Sequence, residues 1–178
     1  MDINYELCEG AEILQGDLIE KYPILTIPDI SENSNDERES ESTEIGQNII
    51  ILTQSCDIVN DPPSHILVSL YNYTSVLLEQ YETQKRLDDF IKELKKDRYY
   101  QLKYLPPCEI EGYIRKAMIV DFSKIEKVSL DSIKKHVSTI PKRIRLRSPL
   151  REYISQTYAI SIMRVALQEE IPIKHAVG

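Results

Sequence analysis

The chain has 178 residues and a formal net charge of −7, with 42% hydrophobic and 29% charged residues. This length and balance fit one globular domain with a real core. The acidic charge disfavours generic nucleic-acid binding unless basic residues are segregated on one surface. The three cysteines, Cys8, Cys56 and Cys108, are odd in number and widely spaced, which disfavours a disulfide framework.

The amino terminus and the apolar segments bear on where the protein works. The first residues, M-D-I-N-Y-E-L-C-E-G, contain neither a basic region nor an apolar run, so they do not resemble a signal peptide. No apolar segment has the length of a membrane span. We therefore expect a cytoplasmic protein without membrane contact.

The first extended segment is followed by a strongly acidic one. Gly16-Asp17 opens Leu18–Ile27, a strand-like run in which Pro23 predicts an edge position or a bend. Asp29–Glu44 then holds seven acids and one base, Arg38, among Ser, Asn and Thr. Such a composition cannot bury enough apolar surface to offset the entropy of ordering it, so we predict a flexible loop over residues 29–46. This loop is either a solvated spacer or a lid over a basic surface elsewhere.

The most apolar stretch is Asn48–Ile58, N-I-I-I-L-T-Q-S-C-D-I. Its first half, Ile49–Leu52, predicts a central strand that is buried on both faces. The polar residues that follow must find partners or face a pocket, so we predict a hydrogen-bonded strand end. They are candidate ligand-binding residues: Gln54, Ser55, Cys56 and Asp57. The alternative is a buried cysteine beside a turn-forming aspartate.

Several further elements follow in order. His65–Leu70 predicts a strand antiparallel to the central one. Over Tyr73–Arg98 the apolar residues change to helical spacing, which predicts one or two inserted helices with a cationic carboxyl end. We predict strands at Tyr99–Leu105, Gly112–Phe122 and Ile125–Leu130, and a helical turn at Asp131–His136.

Lys134–Arg151 is the basic counterpart of the acidic loop, with seven Lys and Arg residues and no acid. Within it Arg143, Arg145 and Arg147 alternate with apolar residues, so a strand there presents three guanidinium groups on one face. Together with Arg151 they are the predicted binding surface, for phosphates or for an acidic protein surface. The alternative is an intramolecular match with the acidic loop or the glutamate-rich helix.

A carboxyl-terminal helix is predicted over about residues 149–168. Ser148 suits its N-cap and Pro149 its first helical position, and Pro172 ends any continuation. The predicted buried stripe contains Leu150, Tyr153, Ile154, Thr157, Tyr158, Ile162 and Val165. We expect a single α+β domain over residues 1–178: a small antiparallel β-barrel or half-barrel with a helical insertion at about 73–98 and the final helix packed across it.

The order of elements over Gln15–Thr74 resembles the PemK/MazF-like toxins. The shared features are Gly16-Asp17-Leu18-Ile19 before a long variable loop, and then the apolar strands Ile49–Thr53 and Ile66–Leu70. The resemblance implies a small SH3-like β-barrel with a carboxyl-terminal helix. In the ribonucleases of that family, an Arg from the first long loop stabilises the charge on the phosphate and a later Ser or Thr positions it.

This chain departs from the residues that such a ribonuclease needs. Its first long loop offers Arg38, whose acidic neighbours repel an RNA backbone. The nearest hydroxyls after the second strand are Ser69 and Thr74, neither of which matches the family motif. The resemblance therefore implies the fold without the activity.

Cysteine catalysis, metal binding and phosphate binding each require a residue pattern of their own. A cysteine nucleophile at Cys56, beside Asp57, needs a base, and the candidates are His65, His136 and His175. The cysteines lack the paired spacing of a zinc site, and the isolated glycines form no phosphate-binding loop, so we expect neither metal nor cofactor.

The expected function is a non-catalytic interaction module. It would bind a protein partner or RNA through Arg143–Arg151 and, if the resemblance holds, act in a bacterial toxin–antitoxin, phage-defence or stress system. One alternative is an active sequence-preferring endoribonuclease that uses Arg38 and Thr74. A second is a cysteine-dependent enzyme centred on Cys56, and homodimerisation is compatible with all three.

Overall fold

The computed structural model of the protein describes residues 2–26, 43–77, 81 and 83–166, and shows an α+β chain. Seven strands form an antiparallel sheet: β1 (Tyr5–Cys8), β2 (Asp17–Thr26), β3 (Thr43–Ile51), β4 (His65–Tyr73), β5 (Leu102–Leu105), β8 (Met118–Ser129) and β9 (Arg143–Leu146). Two more strands, β6 (Cys108–Ile110) and β7 (Tyr113–Arg115), form a separate ribbon. The helices are α1 (Ser55–Asn60), α2 (Thr74–Leu77), α3 (Gln84–Lys95), α4 (Leu130–Val137) and α5 (Leu150–Ala166).

The apolar run after Asn48 forms the middle strand of the sheet, as predicted. The strand order is β1-β9-β2-β3-β4-β8-β5, which places β3 at the centre. Ile49, Ile50 and Ile51 are each at most 1% exposed. The predicted antiparallel pairing is confirmed as well, since Ile49 lies opposite Leu70.

The sheet is curved but open. Register shifts in β2 between Ile19 and Tyr22, and in β4 between Ser69 and Leu70, bend it. Within the described residues, the outer strands β1 and β5 are not paired with each other, so strand pairing does not close a barrel. The hydroxyl of Tyr5 on β1 nevertheless donates a 2.6 Å hydrogen bond to the carbonyl of Pro106, which follows β5.

Each face of the sheet carries its own apolar cluster. One cluster joins β1, β2, β3, β4 and β8 to α5 through Ile154, and includes Tyr5, Leu18, Ile50, Tyr71 and Val120. The other joins the opposite face to α4 through Ile133 and Val137, and includes Ile19, Ile49 and Val68. The central strand thus supplies alternate side chains to both clusters.

Some predicted strand boundaries were wrong. The single strand predicted over Gly112–Phe122 is divided between β7 and β8, and β8 continues through the segment predicted as a separate strand at Ile125–Leu130. The two predicted strands form one continuous strand because β8 pairs with β4 on both sides of a bulge, a contact between distant parts of the chain. In the predicted acidic loop, residues 43–46 belong to β3 and pair with β2, while 29–42 lie outside the described residues.

The helical predictions are close to the structure. The insertion contains α2 and α3, and the turn after β8 is helical as α4. In α5 the buried positions are Ile154, Thr157 and Ser161, whereas Tyr153 and Ile162, both predicted to be buried, are exposed. Among the described residues, no helix combines the length and hydropathy that crossing a membrane requires.

Candidate functional site

The polar residues after β3 fasten a loop rather than extend the strand. The amide of Gln15 donates to the Ser55 hydroxyl at 3.1 Å, and the Gln15 side chain donates to the carbonyl of Leu52 at 2.8 Å. The Thr53 hydroxyl accepts from the amide of Leu67 at 2.8 Å. The central strand, predicted over Ile49–Leu52, ends at Ile51, and the polar residues predicted as its end lead into α1, which begins at Ser55.

Cys56 lies on the exposed side of α1. Its sulfur is 3.5 Å from Oε1 of Gln54 and 3.4 Å from Oδ1 of Asp57. The structure thus brings three of the four predicted ligand-binding side chains together at the surface, while Ser55 points to the loop around Gln15.

The two histidines in the described part of the chain have other partners. The ring of His65 hydrogen-bonds with the hydroxyl of Ser64 at 3.0 Å. The ring of His136 lies 3.2 Å from the carbonyl of Glu20 and packs edge-on against Tyr22. His175 lies outside the described residues. The geometry therefore offers no support for a cysteine–histidine pair at Cys56.

Two of the predicted surface arginines lie inside the protein. Arg143 is 2% exposed and Arg145 is 6% exposed, and both bind Asp17, which is fully buried. Arg143 Nε donates to Asp17 Oδ2 at 3.0 Å, and Arg145 Nη2 donates to the same oxygen at 3.1 Å. The guanidinium of Arg143 also donates to the backbone carbonyls of Gly10 and Glu12 in the loop between β1 and β2.

This cluster changes the interpretation of β9. Burial opposes the charge of Arg145, yet the hydrogen bond and the charge of Asp17 raise its pKa above the ordinary value. Both guanidinium groups are paired within the fold, so Arg143 and Arg145 are not available as part of the predicted binding surface. The partner of these two arginines within the fold is Asp17, the first residue of β2.

The remaining two arginines are half-buried. Arg147 lines a groove of about 640 Å³ between β1 and β6, where its Nε lies 3.8 Å from a carboxylate oxygen of Glu6. Arg151 pairs with Glu152 at 2.8 Å, and the aliphatic part of its side chain lies next to Gly16. A Cβ at Gly16 would lie 3.3 Å from Cγ of Arg151, which explains the glycine at this position.

Of the two ribonuclease candidates, the structure describes Thr74, whereas Arg38 lies outside the described residues. Thr74 begins α2, where its amide donates to the carbonyl of Ala117 at 2.9 Å.

A polar cluster on the curved sheet was not predicted. The carboxylate of Glu20 accepts from the hydroxyl of Tyr73 at 2.5 Å and from Nε of Arg115 at 2.7 Å. The guanidinium of Arg115 lies 3.8 Å from the ring centre of Tyr113. Burial and the Glu20 carboxylate raise the pKa of Tyr73 well above its ordinary value. No sequence motif reveals this cluster, because its members come from β2, β4 and β7.

The described residues contain no group of three or more His, Cys, Asp or Glu side chains placed to hold a metal ion. In comparisons with known proteins, no family model matches the chain, and no curated protein and no solved structure matches it either.

Proposed function

We propose that this protein is a non-catalytic interaction module that binds a protein partner through the outer face of α5. The observation that carries this proposal is the exposure of large apolar side chains on the side of that helix that faces away from the core. Ile160 and Met163 are 52% and 60% exposed, although the opposite side of the same helix packs on the core through Ile154. A helix that is apolar on both sides is typical of one covered on both sides.

The spacing of the outer face suits a helical partner. Tyr153, Gln156, Ile160 and Met163 follow one another at intervals of three, four and three residues. Such residues lie along one face of a helix and can serve as anchors in an apolar groove or against another helix. We define these four residues as the outer face of α5.

The finer description of the fold belongs to the same proposal. The bulges of β2 and β4, and the Tyr5–Pro106 contact between the two sides of the open sheet, support an SH3-like half-barrel. Such a half-barrel fits the resemblance of Gln15–Thr74 to PemK/MazF-like toxins. A role in a bacterial toxin–antitoxin, phage-defence or stress system follows from that resemblance alone.

Site-specific photo-crosslinking tests the partner surface. A benzophenone amino acid is placed at Ile160 or Met163, and at Val59 of α1 as a control, which is 61% exposed on another surface. In cells that naturally express the protein, we expect one adduct of defined mass from positions 160 and 163. That adduct should disappear when Gln156 is changed to Lys, and an adduct of two chains would identify a second copy as the partner. Equal labelling from position 59, or no adduct from 160 and 163, would reject the proposal.

The polar cluster on the sheet supports a second candidate, the endoribonuclease. A carboxylate can take the proton of an RNA 2′-hydroxyl, and a guanidinium can stabilise the charge that develops on phosphorus. Glu20 and Arg115 supply these two groups within 2.7 Å of each other.

RNA cleavage in the presence of EDTA tests the second candidate. If the cluster is catalytic, cleavage of a mixed RNA pool should be lost in Glu20→Gln and in Arg115→Lys, and kept in Glu126→Gln on the exposed part of β8. Cleavage that both cluster variants retain, or its absence from the unmodified protein, would exclude a ribonuclease centred on Glu20 and Arg115.

A further inference from the structure

The end of α3 places a basic turn directly beside two exposed tyrosines. The amide of Asp97 donates to the carbonyl of Leu94, and the amide of Arg98 donates to that of Glu93, so the helix ends in a Schellman motif. Asp97 has the left-handed backbone that this motif requires, with φ at 57°. The chain reverses there, and Tyr99 and Tyr100 follow next to the last turn of the helix.

This turn is positively charged in an acidic protein. Residues 89–104 contain five Lys and Arg and three acids, a net charge of +2, whereas the whole chain has −7. The cations Lys92, Lys96 and Arg98 are 69%, 59% and 66% exposed. Their ion pairs with Asp89 and Glu93 are solvent-exposed and hence weak, so a stronger anion can displace them.

Both tyrosines expose ring surface, and the ring of Tyr99 is supported from within the fold. Tyr99 is 41% exposed and Tyr100 is 38% exposed. Phe90 supports the ring of Tyr99 edge-on, with the ring centres 5.3 Å apart, and Tyr81 stacks on Phe90 at 5.1 Å. On the other side of the helix end, Nζ of Lys95 lies 4.5 Å from the ring centre of Tyr104.

We infer that this surface binds single-stranded nucleic acid. We call it the α3-end surface and define it by Lys92, Lys95, Lys96, Arg98, Tyr99 and Tyr100. Lysines and arginines track the phosphates of a flexible strand, and exposed rings stack on its unpaired bases. The helix dipole accounts for cations at a helix end, but it gives no reason for two adjacent tyrosines at the surface. A duplex fits this surface less well, because its base faces are already stacked.

Fluorescence anisotropy measures this binding with the purified full chain and no protein partner, so the result is independent of the outer face of α5. The probes are fluorescein-labelled 12-nucleotide oligouridine and oligothymidine, together with a duplex of equal length. We expect both single strands to bind more tightly than the duplex. The slope of log K against log salt should be about −2, as for about three phosphate contacts. The chain has no Trp, so stacking should also quench its tyrosine fluorescence.

Matched variants locate the site. Lys96→Glu/Arg98→Glu should reduce affinity at least tenfold, and Tyr99→Ala/Tyr100→Ala should reduce it about tenfold with little change in salt slope. Lys127→Glu/Lys135→Glu changes the net charge equally at exposed positions on β8 and α4, and should leave affinity within twofold. Circular dichroism confirms that each variant is folded.

Three outcomes would overturn the inference: no binding of either single strand at low salt, the same loss in the Lys127/Lys135 control as in the Lys96/Arg98 variant, or full affinity in the tyrosine variant.

Discussion

Replacing Asp17 with Asn should destabilise the protein more than any exposed charge substitution. Asp17 is fully buried and accepts hydrogen bonds from both Arg143 and Arg145, whose side chains are 2% and 7% exposed. The Asn side chain has nearly the same shape but carries no charge. The substitution therefore leaves two guanidinium groups inside the protein without the carboxylate charge that both of them bind.

The expected loss is about 3 kcal/mol. Removing one partner of a buried ion pair costs about 3–5 kcal/mol. The lower end applies here because Arg145 retains a carboxylate oxygen of Glu12 at 3.5 Å, and Arg143 retains the carbonyl of Gly10 at 2.8 Å. With an m-value of about 2 kcal/mol per molar urea, the unfolding midpoint should fall by about 1.5 M. This is a large share of a total stability of about 5–15 kcal/mol.

Urea unfolding followed by circular dichroism measures this loss. The control is Arg98→Ala, which breaks an ion pair with Glu93 at a side chain that is 66% exposed and should cost less than about 1 kcal/mol. Adding Arg143→Met and Arg145→Met to Asp17→Asn should restore part of the stability, since an apolar replacement no longer leaves buried charge. A loss below about 1 kcal/mol in Asp17→Asn, at an unchanged m-value, would refute the argument.

Three smaller predictions concern single positions. Gly16→Ala should lower the free energy of unfolding by about 2 kcal/mol more than Gly10→Ala. Both glycines have a positive φ, but only at Gly16 would a Cβ meet neighbouring atoms, the nearest at 3.2 Å. Equal losses in urea unfolding would contradict this. A thiol reagent should modify exposed Cys56 at once and buried Cys108 only on unfolding, because burial also raises the pKa of the Cys108 thiol; equal rates in the folded protein would contradict this. Hydrogen bonds from Lys103 and Tyr153 lower the pKa of Asp97, so its stabilising effect is present above about pH 4 and is lost as the pH falls. Between about pH 5 and 3, the Asp97→Asn variant should therefore lose less stability than the unmodified protein. The difference should be less than about 1 kcal/mol, because the Asp97 side chain is 53% exposed. Identical stability profiles in acid would contradict this.

The elements that were predicted well are those with a strong local pattern. Ile49–Ile51 forms the central strand because continuous β-branched residues suit a strand covered on both faces. The alternation of Arg143–Arg147 gives a strand, and the helical spacing from Leu87 to Leu94 gives α3. In each case hydrophobic spacing within a few residues determines the element.

The candidate site was harder to predict, because its members are distant in sequence. Alternation shows that Arg143 and Arg145 share a face of β9, but whether that face meets solvent depends on Asp17, more than 120 residues earlier, in the next strand of the sheet. Gln54–Asp57 has the polarity of a strand end, yet contacts with Gln15 and Leu67 fasten the loop before α1. Sequence spacing contains no information on either contact.

The sequence by itself determined the α+β class, the central strand and the separation of acidic from basic segments, since these depend on composition and short-range period. The tertiary structure decided which charges are available to a partner. Strand order places a buried aspartate against two arginines and removes them from the surface, and it leaves the cations and tyrosines at the end of α3 exposed. Burial depends on every neighbouring element, so only the assembled sheet and helices show which charged and aromatic residues are exposed.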